Sequence, residues 1–203
     1  MFNSRFLLYS TSIILICWIF VATGQNLTLT WYIHQQGNPQ IDKLLIPFSW
    51  SAEWLIIIIP FGILLSRNWR ISLIMGAVMC LQAGMILFLK YWINAPRPIE
   101  IDPTKMRSIE HLEINHWQSF PSGHTAIAFF MMGILSMVYS KKWPKTDIVF
   151  FLFACGIGYS RIYLGQHSLI DVCMGGSIAL LFWITGMFIV EKTLGHQSRI
   201  QTP

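Results

Sequence analysis

The chain has 203 residues, of which 54% are hydrophobic and only 11% are charged, and its mean hydropathy is +0.54. This composition is far more apolar than that of an ordinary soluble domain, and it predicts one integral membrane domain over residues 1–203. The formal charge of +5 comes from 14 Lys and Arg that are scattered between apolar runs. Because they form no basic stripe or tail, we interpret them as topology signals and expect no nucleic-acid partner.

Six apolar runs are each long enough to cross a bilayer as a helix, which takes about 17 to 25 mostly apolar residues. In chain order they are 6–23, 44–66, 71–89, 124–140, 148–164 and 168–190. The sequence therefore predicts an all-α, polytopic membrane protein with six transmembrane helices and two long connections, 24–43 and 99–120. The first run lacks an A-x-A cleavage pattern, so we expect it to be retained as an anchor.

The positions of Lys and Arg predict the orientation, because cytoplasmic loops carry an excess of these residues. With the N-terminus inside, the inner side holds eight of them: Arg5, Arg67, Arg70, Lys141, Lys142, Lys145, Lys192 and Arg199. The outer side holds the other six: Lys43, Lys90, Arg97, Lys105, Arg107 and Arg161. Three of these six belong to the candidate site described next, which leaves a bias of eight to three. We expect a bacterial inner-membrane protein with both termini in the cytoplasm.

Short polar segments border the last four predicted spans. The third span ends at Lys90, and the fourth begins at the sequence PSGH, residues 121–124. The fifth span ends near Arg161, and the sixth begins beside His167. Because successive spans alternate in direction, all these segments reach the same face. We therefore expect an active site at the outer interface of the membrane.

The residue types in these segments suit a phosphate group. Lys90, Arg97 and Arg161 are three permanent cations with almost no acid near them in sequence, as a phosphate dianion or a pyrophosphate requires. Ser122 and Gly123 precede a predicted helix, whose free backbone N–H groups and positive dipole end also favour an anion. Together these five residues predict an anion cradle.

Two histidines, His124 and His167, complete the candidate site. Asp171 follows His167 by four residues, which on a helix places the carboxylate one turn away on the same face. A carboxylate on one imidazole nitrogen fixes the tautomer and leaves the other nitrogen free to attack phosphorus. Each feature also has an ordinary explanation: a snorkelling cation, a helix N-cap at PSGH, and a structural hydrogen bond or half of a metal site at His167. Because all of these features occur together in one chain, we favour a catalytic site over these separate structural explanations.

Three segments of the chain closely resemble the signature motifs of the type 2 phosphatidic acid phosphatase (PAP2) superfamily. They are KYWINAPRP at 90–98, PSGH at 121–124 and SRIYLGQHSLID at 160–171, and the signatures are K-x6-R-P, P-S-G-H and S-R-x5-H-x3-D. Every signature position is present, in order and with its internal spacing. The motifs lie in a core of about 71–190, and the six predicted spans agree with the membrane branch of that family.

The resemblance implies a membrane lipid phosphatase that uses no metal or other cofactor. The phosphate-binding residues carried over from the motifs would be Lys90, Arg97, Ser122, Gly123 and Arg161. His167 would be the nucleophile that forms a phosphohistidine, Asp171 its orienting partner, and His124 the general acid that protonates the leaving oxygen. These roles agree with the physical interpretation of the same residues.

The substrate is less well defined by the sequence. An outward-facing site in a compact, bacterial-looking chain fits a polyprenyl (undecaprenyl) pyrophosphate from cell-wall synthesis in the outer leaflet. Phosphatidic acid, phosphatidylglycerophosphate and lipid A phosphates are alternatives, as is transfer of the phosphate to another lipid. Glu53 and the segment 99–120 are candidates for contacting a headgroup, although that segment also fits a solvated loop or interfacial helix anchored by Trp117. Its other polar candidates are Glu100, Asp102, Glu110, His111, Glu113 and His116.

An alternative from a different class is a lipid-linked anion transporter, in which the cations and histidines only bind. Transporters often carry inverted repeats and helices broken near the bilayer midplane. Here the polar residues collect at one predicted interface, which favours the phosphatase.

Overall fold

The computed structural model describes residues 4–110, 112 and 115–200. Its helices are α1 (Ser4–Ala22), α2 (Asn26–Gln35), α3 (Pro39–Trp50), α4 (Leu55–Arg67), α5 (Trp69–Ile93), α6 (Pro98–Ile101), α7 (Gly123–Tyr139), α8 (Thr146–Tyr163) and α9 (Leu169–Ile200), with a 3-10 turn at Pro103–Lys105. These described residues contain no β-strand. The predicted all-α class is therefore confirmed for this part of the chain.

Three helical stretches are long and apolar enough to cross a membrane: Arg5–Ala22 in α1, Trp69–Ile101 over α5 and α6, and Leu169–Thr193 in α9. The pair α3 and α4 makes a fourth candidate span if the two helices, bent by 42°, are counted together. Helix α7 is apolar but has only 17 residues, and α8 carries Asp147 and Arg161 within its 18 residues. Length and composition thus give three to four candidate spans among the described residues, and the count of six stays a prediction.

The predicted second span, 44–66, is not one continuous helix. It is broken at the turn 51–54, which we call the α3–α4 break. There the Ser51 hydroxyl donates a hydrogen bond of 2.6 Å to the carbonyl of Phe48, a local bond of the kind that competes with regular helix. The break places Glu53 and its neighbours at the end of the bundle where α5 and α8 end and α7 and α9 begin. We call this the site end.

The connection predicted at 24–43 also contains helix, because α2 and the start of α3 lie within it. Asn38 accounts for the start of α3: its side chain accepts hydrogen bonds from the amides of Gln40 and Ile41, at 3.1 Å each, and Pro39 follows at the first helical position. Asn as N-cap with Pro next to it is a strong helix-start signal.

Helix α7 lies at the centre of the bundle and packs on α4, α8 and α9. Phe130, Met131 and Ile134 in α7 are fully buried and share one core with Trp183 of α9. The backbone of α9 approaches the PSGH segment closely at Gly175, where a Cβ atom would overlap the carbonyl oxygen of Ser122. The core therefore fixes the start of α7 against α9.

A largely buried polar cluster ties the connection 99–120 to the helices. The Arg107 guanidinium donates two hydrogen bonds, of 2.6 and 2.7 Å, to the carboxylate of Asp42. His34 accepts at Nε2 from the Arg107 amide (3.0 Å) and donates from Nδ1 to the carbonyl of Tyr163 (2.9 Å). This pattern needs a neutral imidazole, and burial lowers the pKa of His34 accordingly.

Candidate active site

A cavity of about 320 Å³ opens at the site end of the bundle. Its lining residues come from the three motif segments, the end of α3, the α3–α4 break and the connection 99–120: Trp50, Glu53, Lys90, Arg97, Leu112, Asn115, Gly123, His124, Arg161, Gln166 and His167. The predicted convergence of the motif segments in space is therefore found in the structure. Six of the eight predicted site residues line this cavity, and Ser122 and Asp171 lie behind it.

The three cations reach the cavity from different elements. Lys90, in the last turn of α5, donates from Nζ to the carbonyl of Gln118 at 2.5 Å. Arg97, just before α6, donates from Nε to the carbonyl of Trp117 at 3.1 Å. Arg161, in the last turn of α8, is buried, and its Nε is a buried donor without a partner among the described residues. The arrangement concentrates positive charge on one small cavity, as an anion site requires.

Gln166 joins two of these cations. Its side-chain oxygen accepts hydrogen bonds from Arg97 Nη1 at 2.7 Å and from Arg161 Nη2 at 3.4 Å. Arg161 also donates from Nη1 to the Ser49 hydroxyl at 2.6 Å. Because both partners are neutral, they orient the guanidinium groups without cancelling their charge. Gln166 and Ser49 are functional candidates that no sequence motif indicated.

The His167 imidazole lies between the ends of α8 and α9, with its Nδ1 at 3.5 Å from Oδ2 of Asp171. The one-turn spacing that a shared helix would give does not apply to this pair, because α9 begins at Leu169 and His167 precedes it. Asp171 is in the first turn of α9, and its Oδ2 also accepts hydrogen bonds from the Ser168 amide (2.8 Å) and the Ser119 hydroxyl (2.6 Å). Two further donors therefore hold the carboxylate in place.

Burial lowers the pKa of the His167 imidazole, because desolvation disfavours the charged form. His167 is 2% exposed, so its neutral form is favoured at pH 7. A neutral imidazole with one nitrogen facing a carboxylate keeps a lone pair on the other nitrogen. The site thus supplies the protonation state that a nucleophilic histidine needs.

Ser122 and Gly123 play different parts at the start of α7. The Ser122 amide donates to the backbone carbonyl of Asp171 at 3.0 Å, and its buried hydroxyl accepts from Thr125 Oγ1 at 2.9 Å. The expectation that the Ser122 amide faces the anion is therefore not met in this geometry. Gly123, the first residue of α7, does line the cavity, where the helix N-terminus favours negative charge.

His124, the second residue of α7, faces the cavity and contacts an acid from outside the motifs. Its Nε2 lies 3.2 Å from Oε1 of Glu53, and the two side chains are 22% and 48% exposed, respectively. The sequence predicted Glu53 only as a candidate lining residue, because nothing in a single sequence pairs it with His124.

The connection 99–120 contributes Leu112 and Asn115 to the cavity. Among its polar candidates, Glu100 pairs with Nδ1 of His116, and the lining does not include either residue. Asp102 caps the following turn by accepting from Thr104, and Glu110 and Trp117 are likewise absent from the lining. His111 and Glu113 lie outside the described residues. Within the described part of the chain, no group of three His, Cys, Asp or Glu is placed to hold a metal ion.

Comparison with known proteins identifies the class. Residues 71–194 match the PAP2 superfamily, which is more than half of the chain and includes all three motif segments. The chain therefore belongs to the PAP2 superfamily, and the resemblance drawn from the motifs is confirmed.

Three curated relatives show what is known of similar proteins. The lipid A 1-phosphatase of Porphyromonas gingivalis is 28% identical over 63% of this chain and 27% of its own length. The bacitracin transport permease protein BcrC of Bacillus licheniformis is 38% identical over 46% of this chain and 41% of its own length. Phosphatidylglycerophosphatase B of Bacillus subtilis is 32% identical over 68% of this chain and 67% of its own length. The chain thus spans less than half of the first two relatives.

Two solved structures share the fold. LpxE of Aquifex aeolicus superimposes with a TM-score of 0.66 at 28% identity, covering 80% of this chain and 94% of that chain. A transmembrane PAP2-type phosphatidylglycerolphosphate phosphatase from Bacillus subtilis gives a TM-score of 0.67 at 22% identity, covering 92% and 96%. The family and the names of these relatives support the expectation of a membrane phosphatase.

Proposed function

We propose that this chain is a membrane phosphatase that hydrolyses a lipid phosphate or pyrophosphate through a phosphohistidine. The observation that carries the proposal is the cavity in which three cations meet two histidines, one of them backed by Asp171. A binding protein for anions would need the cations alone. The transporter alternative is not favoured, because the family and two of the three curated relatives are phosphatases by name.

The first half of the reaction is phosphoryl transfer to the protein. The Nε2 lone pair of His167 attacks the terminal phosphorus, and the bond from that phosphorus to the leaving oxygen breaks. This oxygen is the bridging oxygen of a pyrophosphate or the ester oxygen of a monophosphate. Lys90, Arg97 and Arg161 stabilise the charge on the equatorial oxygens, together with the N-terminus of α7. His124 gives its proton to the leaving oxygen, so the lipid departs as a neutral hydroxyl or a protonated phosphate.

The second half frees the histidine. His124, now without its proton, takes a proton from a water molecule as that water attacks the phosphohistidine. The P–N bond breaks, inorganic phosphate leaves, and His167 returns to its neutral form. Asp171 stabilises the cationic ring that exists while phosphate is bound to it.

The proposed substrate is a polyprenyl pyrophosphate presented from the outer leaflet. Three cations balance the charge of a pyrophosphate better than that of a single phosphate. The proposed outward orientation rests on the charge bias of eight to three. Cysteine labelling in intact cells tests this orientation, with single cysteines introduced at position 108 or 143 of a variant that lacks the native cysteines. An impermeant reagent should reach position 108 and not position 143, and the opposite pattern would place the chemistry in the cytoplasm.

Purified protein in detergent tests the activity. We expect release of inorganic phosphate from polyprenyl pyrophosphate at a higher kcat/KM than from phosphatidic acid, phosphatidylglycerophosphate or lipid A, and unchanged turnover in EDTA. His167→Ala, purified in the same way, controls for contaminating phosphatases. A preferred monophosphate lipid would correct the substrate. Turnover lost in EDTA and restored by Mg²⁺ or Zn²⁺ would overturn the metal-independent mechanism.

A further inference from the structure

The general acid of the proposed reaction lies among positive charges. Lys90 of α5, Arg161 of α8, and Arg97 line the same cavity as His124, and His167 faces it as well. Nearby cations disfavour the protonated form of an imidazole. A histidine that must donate a proton therefore needs an opposing charge in this cavity.

Among the residues that the structure describes, two carboxylates lie close enough to act on the histidines. Asp171 already faces His167 and accepts hydrogen bonds from the Ser119 hydroxyl and the Ser168 amide. The other is Glu53, whose Oε1 is 3.2 Å from Nε2 of His124. This places the negative charge at one ring nitrogen of His124. A protonated imidazole carries a proton on both nitrogens, so with Nε2 paired to Glu53 the proton left for the leaving oxygen is the one on Nδ1.

The α3–α4 break holds Glu53 in this position. The Glu53 amide donates to the carbonyl of Trp50 at 2.9 Å, and the Ala52 amide donates to the carbonyl of Ser49 at 3.2 Å. Ala52 is fully buried, and the Ser49 hydroxyl accepts from Arg161. The last turn of α3 and the break that follows it lie outside the three motifs. They contact a phosphate-binding cation through Ser49 and the general acid through Glu53.

We propose that Glu53 is a positioning residue that stabilises the protonated form of His124 and directs it at the leaving oxygen. The inference rests on the proposed function and extends it to a fourth segment of the chain, the α3–α4 break. The Glu53 carboxylate offsets the field of the three cations at His124. It acts on bond cleavage through His124, and it matters most when the leaving group is a poor one.

The test compares two aryl phosphates that differ in their leaving group. Phenyl phosphate releases a basic phenolate that needs a proton, whereas nitrophenyl phosphate releases a stable anion. We expect Glu53→Gln to lower kcat/KM roughly 10-fold or more for phenyl phosphate and much less for nitrophenyl phosphate. The alkaline limb of the phenyl phosphate profile should move to lower pH, because the imidazolium loses its counter-charge. Glu53→Asp should recover part of both effects.

The matched control is Glu100→Gln, which removes the acid from the exposed Glu100–His116 pair outside the cavity lining. It should leave kcat/KM for both aryl phosphates unchanged. Inhibition by inorganic phosphate checks that the Glu53 variants keep a folded site. Wild-type turnover with an unchanged substrate ratio in Glu53→Gln would overturn this inference alone. A Glu53→Gln protein that no longer binds phosphate would also overturn it, since that points to a structural role. A wild-type protein inactive on every phosphate ester would overturn the proposed function, and this inference with it.

Discussion

The Ser119 hydroxyl donates a hydrogen bond of 2.6 Å to Oδ2 of Asp171, although the two residues are 52 positions apart. The same hydroxyl oxygen lies 3.5 Å from Nδ1 of His167. Ser119 is buried and is anchored by its own amide, which donates to the carbonyl of Ala95 at 3.0 Å. Ser119 therefore joins the segment before PSGH to the proposed nucleophile and its carboxylate.

Removing this hydroxyl should impair the reaction. A hydrogen bond to a charged group contributes about 1.5–3 kcal/mol, which corresponds to a loss of about 10- to 100-fold if it acts in the transition state. We expect Ser119→Ala to lower kcat/KM for nitrophenyl phosphate by that factor, and Ser119→Thr, which keeps a hydroxyl, to lose less. Ser66→Ala, at an exposed hydroxyl in α4, is the control. An Ala variant with more than half of the wild-type rate would show that Asp171 needs no such support.

Gln166 should set the affinity for phosphate, because it lies between two cations. Gln166→Glu keeps the shape of the side chain and places a negative charge next to the guanidinium groups of Arg97 and Arg161. We expect the inhibition constant of inorganic phosphate to rise roughly 10-fold or more, since the charges of these arginines would be partly cancelled. Gln35→Glu adds the same charge at an exposed position outside the cavity lining. An equal change in both variants would assign the effect to net charge and not to the position of Gln166.

The cluster around His34 should make the protein sensitive to acid. Burial lowers the pKa of His34 below its ordinary value of 6.5. The unfolded chain therefore takes up this proton at a higher pH than the folded chain does. The resulting stability is fully present above about pH 6.5 and is lost as the pH falls towards the lower folded value.

Thermal unfolding in detergent measures this effect. We expect the unfolding midpoint of the wild type to fall between pH 7 and pH 5, with a smaller fall for His34→Leu at a lower starting stability. Part of the fall should persist, because the pKa of His167 is lowered by burial too. His116→Gln, at an exposed histidine, should behave as wild type. Equal slopes for His34→Leu and the wild type would contradict the assignment.

The sequence predicted those site residues whose spacing along the chain matches a motif. One motif has the spacing of Lys90 and Arg97. Another has the spacing of Arg161, His167 and Asp171, so matching the motifs was enough to identify all five residues. The apolar runs also placed α1, α5, α7, α8 and α9 to within a few residues except at the end of α9, because long uninterrupted hydrophobic stretches leave few alternatives to helix.

The remaining site residues carry no such pattern. Ser49 and Ser119 are single hydroxyls, and their partners Arg161 and Asp171 lie 112 and 52 positions away. Only the tertiary fold brings such residues together. The break after α3 was missed for a related reason: the run 44–66 is apolar throughout except for Glu53 and a few hydroxyls, and composition alone does not distinguish a bent helix from a straight one.

The central claim is that the two histidines differ, with His167 carrying the phosphoryl group and His124 moving protons. Nitrophenyl phosphate labelled at phosphorus, with an alkaline quench to preserve phosphohistidine, tests this directly. We predict label on the peptide that contains residue 167 in the wild type, no label in His167→Ala, and more label in His124→Ala, whose intermediate should form readily but hydrolyse slowly. Label on the peptide that contains His124, or label retained in His167→Ala, would contradict the assignment.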